Sequence, residues 1–171
     1  PQGSSPERLN AIRAEGAQAE IVDMNYDAAV RLMAERARQH GWQVVQDTAW
    51  EGYEKIPLWI MQGYGTLMLE VFQQLHEVPP THIIVPAGVG SLAAAVQATV
   101  TAAYGTERPK VIVAEARAAD CLYRSALGQS GEAVAVEGDL ATVMAGLSCG
   151  EANTIAWEIL RDYTDAFASC P

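Results

Sequence analysis

Two unbroken apolar runs, HIIVP at 82–86 and KVIVAEA at 110–116, restrict the fold of this 171-residue chain more than any other feature. A strand with one wet face alternates apolar and polar residues, whereas an unbroken run belongs to a sheet covered on both faces, as parallel sheets are. Between the runs lies SLAAAVQATVTAAYG (91–105), a small-residue stretch long enough for the helix that carries the chain from one parallel strand to the next. The order strand, helix, strand predicts an α/β fold with a largely parallel sheet and helices on both faces.

The flanking segments extend this alternation. Ser5 and Pro6 stand as N-cap and first helical residue, Glu7 follows Ser4 by three, and Gly16 is the stop of a short helix. EIVDM (20–24) and WQVVQD (42–47) predict strands, and YDAAVRLMAERARQHG (26–41) predicts a helix with Val30, Met33 and Ala37 on one face and Gly41 at its end. From Pro57, the residues Leu58, Met61, Met68, Val71, Phe72 and Leu75 keep helical spacing through 57–77, with Gly63 and Gly65 inside it. Each glycine costs about 1 kcal/mol relative to alanine, so a bend or a close helix contact is expected there. DCLYRSALG (120–128) predicts a helix, and NTIAWEILRDYTDAF (153–167) a last helix capped by Asn153, with no further element in FASCP.

Charge and cysteine content narrow the function classes. With 21 acidic against 11 basic residues the formal net charge is −10, and no basic stripe exists to draw in nucleic acid. No apolar run approaches the roughly 18 residues that cross a bilayer, and the N-terminus lacks the layout of a signal peptide, so a soluble cytoplasmic protein without membrane association is expected. Cys121, Cys149 and Cys170 show neither CxxC spacing nor a histidine cluster, which predicts buried thiols rather than a metal site. His40, His76 and His82 fall at element ends and take no catalytic assignment.

The turn AGVGS (87–91) sits where an open α/β sheet binds ligands, between the end of one strand and the start of a helix. Gly88 and Gly90 allow backbone amides to converge on an anion, with Ser91 as a hydroxyl donor. The spacing is neither GxGxxG nor a P-loop, and a plain tight turn is an equal alternative. Read without further context, Asp47 is a turn or cap residue, Trp50 and Tyr53 are packing or a pocket wall, and Glu115 either orients its neighbours or ends a strand in solvent.

Four segments in order, QGYGTLMLE (62–70), PAGVGSLAAAV (86–96), KVIVAEA and TVMAGLSCG (142–150), resemble the fold-type II pyridoxal phosphate enzymes of the threonine and serine dehydratase group. GSSPERLNAIRAEGA (3–17), VQDTAWEGYEKIP (45–57), ADCLYRSA (119–126) and MAGLSCGEANT (144–154) are similar, within that group, to the diaminopropionate ammonia-lyase family. The resemblance implies a tryptophan synthase β-like fold, a partial three-layer sheet in which 1–46 belongs to the smaller α/β lobe and 47–171 to the larger cofactor domain. It implies pyridoxal 5'-phosphate as cofactor and β-elimination of 2,3-diaminopropionate to pyruvate and ammonia.

By the same resemblance Asp47 is the α-proton base for the L-substrate, Gly88, Val89, Gly90 and Ser91 form the phosphate loop, and Ala145 and Gly146 lie beside the cofactor ring. Lys55 and Lys110 do not match the family's Schiff-base lysine, which belongs to an upstream segment. An internal fragment is therefore expected, inactive alone and associated as a homodimer or with the missing segments. Another pyridoxal phosphate-dependent dehydratase, a non-catalytic phosphate-binding module and a purely structural unit are the alternatives.

Overall fold

A computed structural model describes residues 1–75, 78–128 and 130–171; His76 lies outside the described residues. The chain divides into two compact units, Pro1–Val44 and Val45–Pro171.

The first unit holds α1 (Pro6–Ala14) and α2 (Tyr26–His40). Local chemistry accounts for both. Ser5 Oγ accepts from the Arg8 amide ahead of Pro6, and Asn25 caps α2 through the Ala28 amide. Gly41 closes α2 in the left-handed conformation, φ 69°, where a side chain would be strained. The predicted strand at 20–24 does not form. It is an extended connection held by an Arg13 donation to the Ala19 carbonyl and a Glu20–Arg36 ion pair, because no neighbouring strand offers it a ladder among the described residues. The predicted strand at 42–47 likewise does not form, and no strand ladder among the described residues includes it.

The second unit contains α3 (Lys55–Gln74), β1 (His82–Pro86), α4 (Ser91–Tyr104), β2 (Lys110–Ala116), α5 (Cys121–Leu127), α6 (Thr154–Tyr163) and β3 (Ala166–Cys170). The strands form one parallel sheet in the order β1-β2-β3, with Ile83 opposite Val111 and Val113 opposite Phe167. β3 corrects the reading of 153–167 as helix to its end. The helix stops at Tyr163, and Asp165 turns the chain onto β2 by accepting from the Val111 amide, Arg108 and Lys110. Burial raises the pKa of Asp165, but these three donors outweigh it and hold the carboxyl at about 2.

α3 runs unbroken through both glycines. A Cβ at Gly65 would come within 3.1 Å of Thr99 Oγ1 on α4, so this glycine is where the two helices approach closely, whereas Gly63 borders open space. Val85, Val111 and Val113 share one core with Ala93, Val96 and Val100 of α4 and Trp157 and Leu160 of α6. Burying such side chains contributes about 1.5–3 kcal/mol each. The other sheet face is open along β1, where Ile84 is 69% exposed. Among the described residues no helix is long and apolar enough to cross a membrane.

Candidate functional site

The carboxyl ends of β1 and β2 carry the polar groups that the core excludes. After β1 the chain enters the turn 87–90, anchored by the Ala87 amide on the Ala114 carbonyl, and Gly90 opens α4 with φ 98°. Gly90 has a second reason to lack a side chain: a Cβ there would lie 3.2 Å from both Leu122 Cδ1 and Leu160 Cδ1. At Gly88 a Cβ would meet Leu147 Cα at 3.2 Å and Cys149 Sγ at 3.1 Å. The turn is thus wedged against the 145–149 loop on one side and the α5–α6 core on the other. Gly88, Val89 and Gly90 are buried, yet their amides donate to no backbone carbonyl among the described residues. The first amides of α4 also lack partners within the helix, and its dipole adds positive potential at this end.

Asp47 is brought to this turn by its own main chain. Its carbonyl accepts from Ser91 Oγ at 3.0 Å and from Asn153 Nδ2 at 2.7 Å. Asn153, fully buried, also donates to Ser91 Oγ, gives its backbone amide to the Val89 carbonyl, and caps α6 by accepting from the Ile155 and Ala156 amides. One amide side chain therefore ties together Asp47, the glycine turn and the start of α6. The Ser91 hydroxyl is directed at Asp47, which leaves its backbone amide as the donor on the turn side. Tyr64, from α3, donates its hydroxyl to Asp47 Oδ2 at 2.9 Å. Gln46 Nε2, one residue away, is buried without an acceptor among the described residues.

At the end of β2, Glu115 is 2% exposed and does not end the strand in solvent. It accepts from the Leu122 amide at 3.0 Å and the Tyr123 amide at 2.6 Å, at the start of α5. Burial pushes its pKa up to about 7 against the pull of those two amides. Cys121 lies between this carboxyl and the Gly88 carbonyl, with sulfur–oxygen distances of 3.9 and 3.8 Å.

The other candidates divide. Ala145 and Gly146 fall on an exposed single turn, and a Cβ at Gly146 would meet nothing within 4 Å. Trp50 and Tyr53 stack at 4.4 Å, and the Tyr53 hydroxyl bonds both the amide and the carbonyl of Gln46, closing the 46–53 loop. Lys110 pairs with Asp165 at the far end of β2 and Lys55 sits over the Trp59 ring, and both are exposed. His40 stacks on Trp42 and His82 contacts Thr81. Cys121 and Cys149 are buried and Cys170 is exposed. Tyr64 gave no sequence signal of a role, and Asn153 signalled only its cap.

Residues 1–171 match the family described as pyridoxal-phosphate dependent enzyme. The chain is 52% identical over 172 residues to diaminopropionate ammonia-lyase of Escherichia coli strain K12, covering 99% of this chain and 43% of that protein. The crystal structure of the holo form of the E. coli enzyme superposes with a TM-score of 0.89 at 49% identity, over 99% of this chain and 42% of the other. The same enzyme in complex with an aminoacrylate-PLP azomethine reaction intermediate gives 0.90 at 48% identity, over 98% and 43%. The chain therefore spans under half the length of these relatives, and it belongs to the pyridoxal-phosphate dependent enzyme family.

Proposed function

We propose that this member of the pyridoxal-phosphate dependent family serves, within the full-length polypeptide that carries it, in the β-elimination of 2,3-diaminopropionate to pyruvate and ammonia. The observation that carries the reading is the buried turn 88–90, whose amides have no backbone acceptor among the described residues, set beside an aspartate held by Ser91 and Asn153. The identity of 52% to diaminopropionate ammonia-lyase supports the choice of substrate.

The residues present fit the cofactor's phosphate. Several converging amides and a helix dipole bind a dianion without a lysine, and the absent side chains at Gly88 and Gly90 let the backbone reach it. Ser91 contributes its backbone amide to the same cradle. Ala145 and Gly146, on the loop whose Leu147 backs Gly88, belong beside the ring. Bound there, pyridoxal 5'-phosphate supplies covalent attachment of the amino acid and an acceptor for the electrons released at its α-carbon.

This chain's own contribution to the chemistry is Asp47. Its main chain is pinned to the cradle, so the distance from the phosphate to the carboxylate is set by protein hydrogen bonds and not by the substrate. Asp47 removes the α-proton of the L-substrate, the β-amine leaves as ammonia, and hydrolysis of the remaining unsaturated amine yields pyruvate and a second ammonia. The Schiff-base lysine is assigned outside residues 1–171. The larger cofactor domain corresponds to 47–171 and the smaller lobe to 1–46. A cytoplasmic setting accords with the net charge of −10, and exposed Trp59, Leu69 and Ile84 support association as a homodimer, which a solution mass decides.

The test is pyruvate release from L-2,3-diaminopropionate by the cofactor-loaded full-length enzyme. Asp47→Asn is expected to lower kcat by roughly 10²–10⁴-fold with cofactor content retained. Turnover of the L-substrate at the unsubstituted rate would place the base elsewhere.

A further inference from the structure

We propose that Tyr64 is the positioning residue for Asp47, fixing which carboxylate oxygen faces the substrate; the inference rests on Asp47 acting as the α-proton base. An aspartate side chain rotates about χ2 over a broad, roughly two-fold well, so a pinned main chain alone leaves its oxygens interchangeable. The Tyr64 hydroxyl removes that freedom by donating to Oδ2 at 2.9 Å. Oδ1, which has no protein donor among the described residues, is then the oxygen left to accept a proton.

The fold holds Tyr64 in place to do this. It lies on the continuous helix α3, and the next residue, Gly65, is buried where a Cβ would meet Thr99 Oγ1 of α4 at 3.1 Å. Three residues before Tyr64, Met61 is buried and its sulfur lies 3.7 Å from Asn153 Nδ2, the donor that also reaches the Asp47 carbonyl. α3 is thereby keyed to the same hub that fixes the aspartate backbone. A two-point hold on Asp47, at its carbonyl and at one carboxylate oxygen, is the arrangement a base needs when the proton must leave one face of a tetrahedral carbon.

Tyr64→Phe removes the hydroxyl and keeps the ring. Steady-state kinetics on the cofactor-loaded full-length enzyme with the L- and D-isomers of 2,3-diaminopropionate, run beside Asp47→Asn, test the role. Tyr64→Phe is expected to lower kcat for the L-isomer by roughly ten- to a hundred-fold, with KM changed less than about twofold and the D-isomer much less affected. Equal loss on both isomers together with a lowered melting temperature would make Tyr64 a packing residue and overturn the proposal, as would unchanged L-isomer kinetics. If Asp47→Asn leaves L-turnover intact, the base assignment itself fails, an outcome separate from either Tyr64 result.

Discussion

Two strand-to-helix connections leave the same edge of the sheet, and they treat their helix N-termini in opposite ways. After β2, the first amides of α5 are taken by the protein's own carboxylate, Glu115, which accepts from Leu122 and Tyr123. After β1, the buried amides of Gly88, Val89 and Gly90 meet no backbone acceptor among the described residues. Both ends carry the donors and dipole that favour an anion. One supplies the anion internally and becomes structural; the other omits it and replaces side chains with glycine, as the proposed phosphate site requires. The contrast separates a filled helix cap from an unfilled one, which helix geometry alone does not.

The largest expected effect comes from spoiling the open turn. Gly90→Val would put a β-branched residue at φ 98° and within 3.2 Å of Leu122 and Leu160. Left-handed strain and overpacking together are expected to cost about 4 kcal/mol, enough to lower the melting temperature sharply and abolish cofactor retention. A variant that melts like the unsubstituted protein would show that the turn relaxes. Next, Glu115→Ala would empty the closed connection and strand two buried amides, at a cost of about 3 kcal/mol. Chemical denaturation should register that loss; an unchanged midpoint would mean that water replaces the carboxylate.

The smallest effect is a pH dependence. Glu115 has a folded pKa raised to about 7 from 4.5, so the stability linked to its protonated form is complete below about pH 4.5. It is lost as pH rises through 7. Glu115→Gln does not titrate and keeps an acceptor for one of the two amides, so its stability should rise relative to the unsubstituted protein by about 2–3 kcal/mol from pH 4.5 to 8 and then hold level. A gap that narrows with rising pH would reverse the sign and mean that the two amides overcome burial.

What could be read from the residues alone follows the range of the forces involved. The helix 26–40 was legible to its last residue because the face of Val30, Met33 and Ala37 and the glycine stop at Gly41 are local signals. The unbroken run 82–86, the turn 87–90 and the helix after it were legible for the same reason, and their parallel pairing with 110–116 followed from the order strand, helix, strand. Segments 20–24 and 42–47 look like strands by composition, yet a strand exists only with a neighbour. Ala166 and Phe167 read as the end of the last helix and the residues after them as no element, yet Ala166–Cys170 is a strand because Asp165 delivers it to β2.

The site depended most on distant contacts. Asp47 meets Ser91 across 44 positions and Asn153 across 106, and nothing near any of the three in sequence announces the other two. Tyr64 sits among helix residues of similar spacing, and its bond to Asp47 comes from α3, which packs closely on α4 at Gly65. Periodicity, caps and turns are nearest-neighbour properties, so the chain itself determined its helices in outline, its α/β class and the glycine turn, while strand formation at 20–24, 42–47 and 166–170 was decided by whether a neighbour was present. Which carboxylate reaches that turn, which is consumed as a cap, and which hydroxyl bonds Asp47 were decided by packing, because hydrogen bonds form where the core brings their partners within 3 Å.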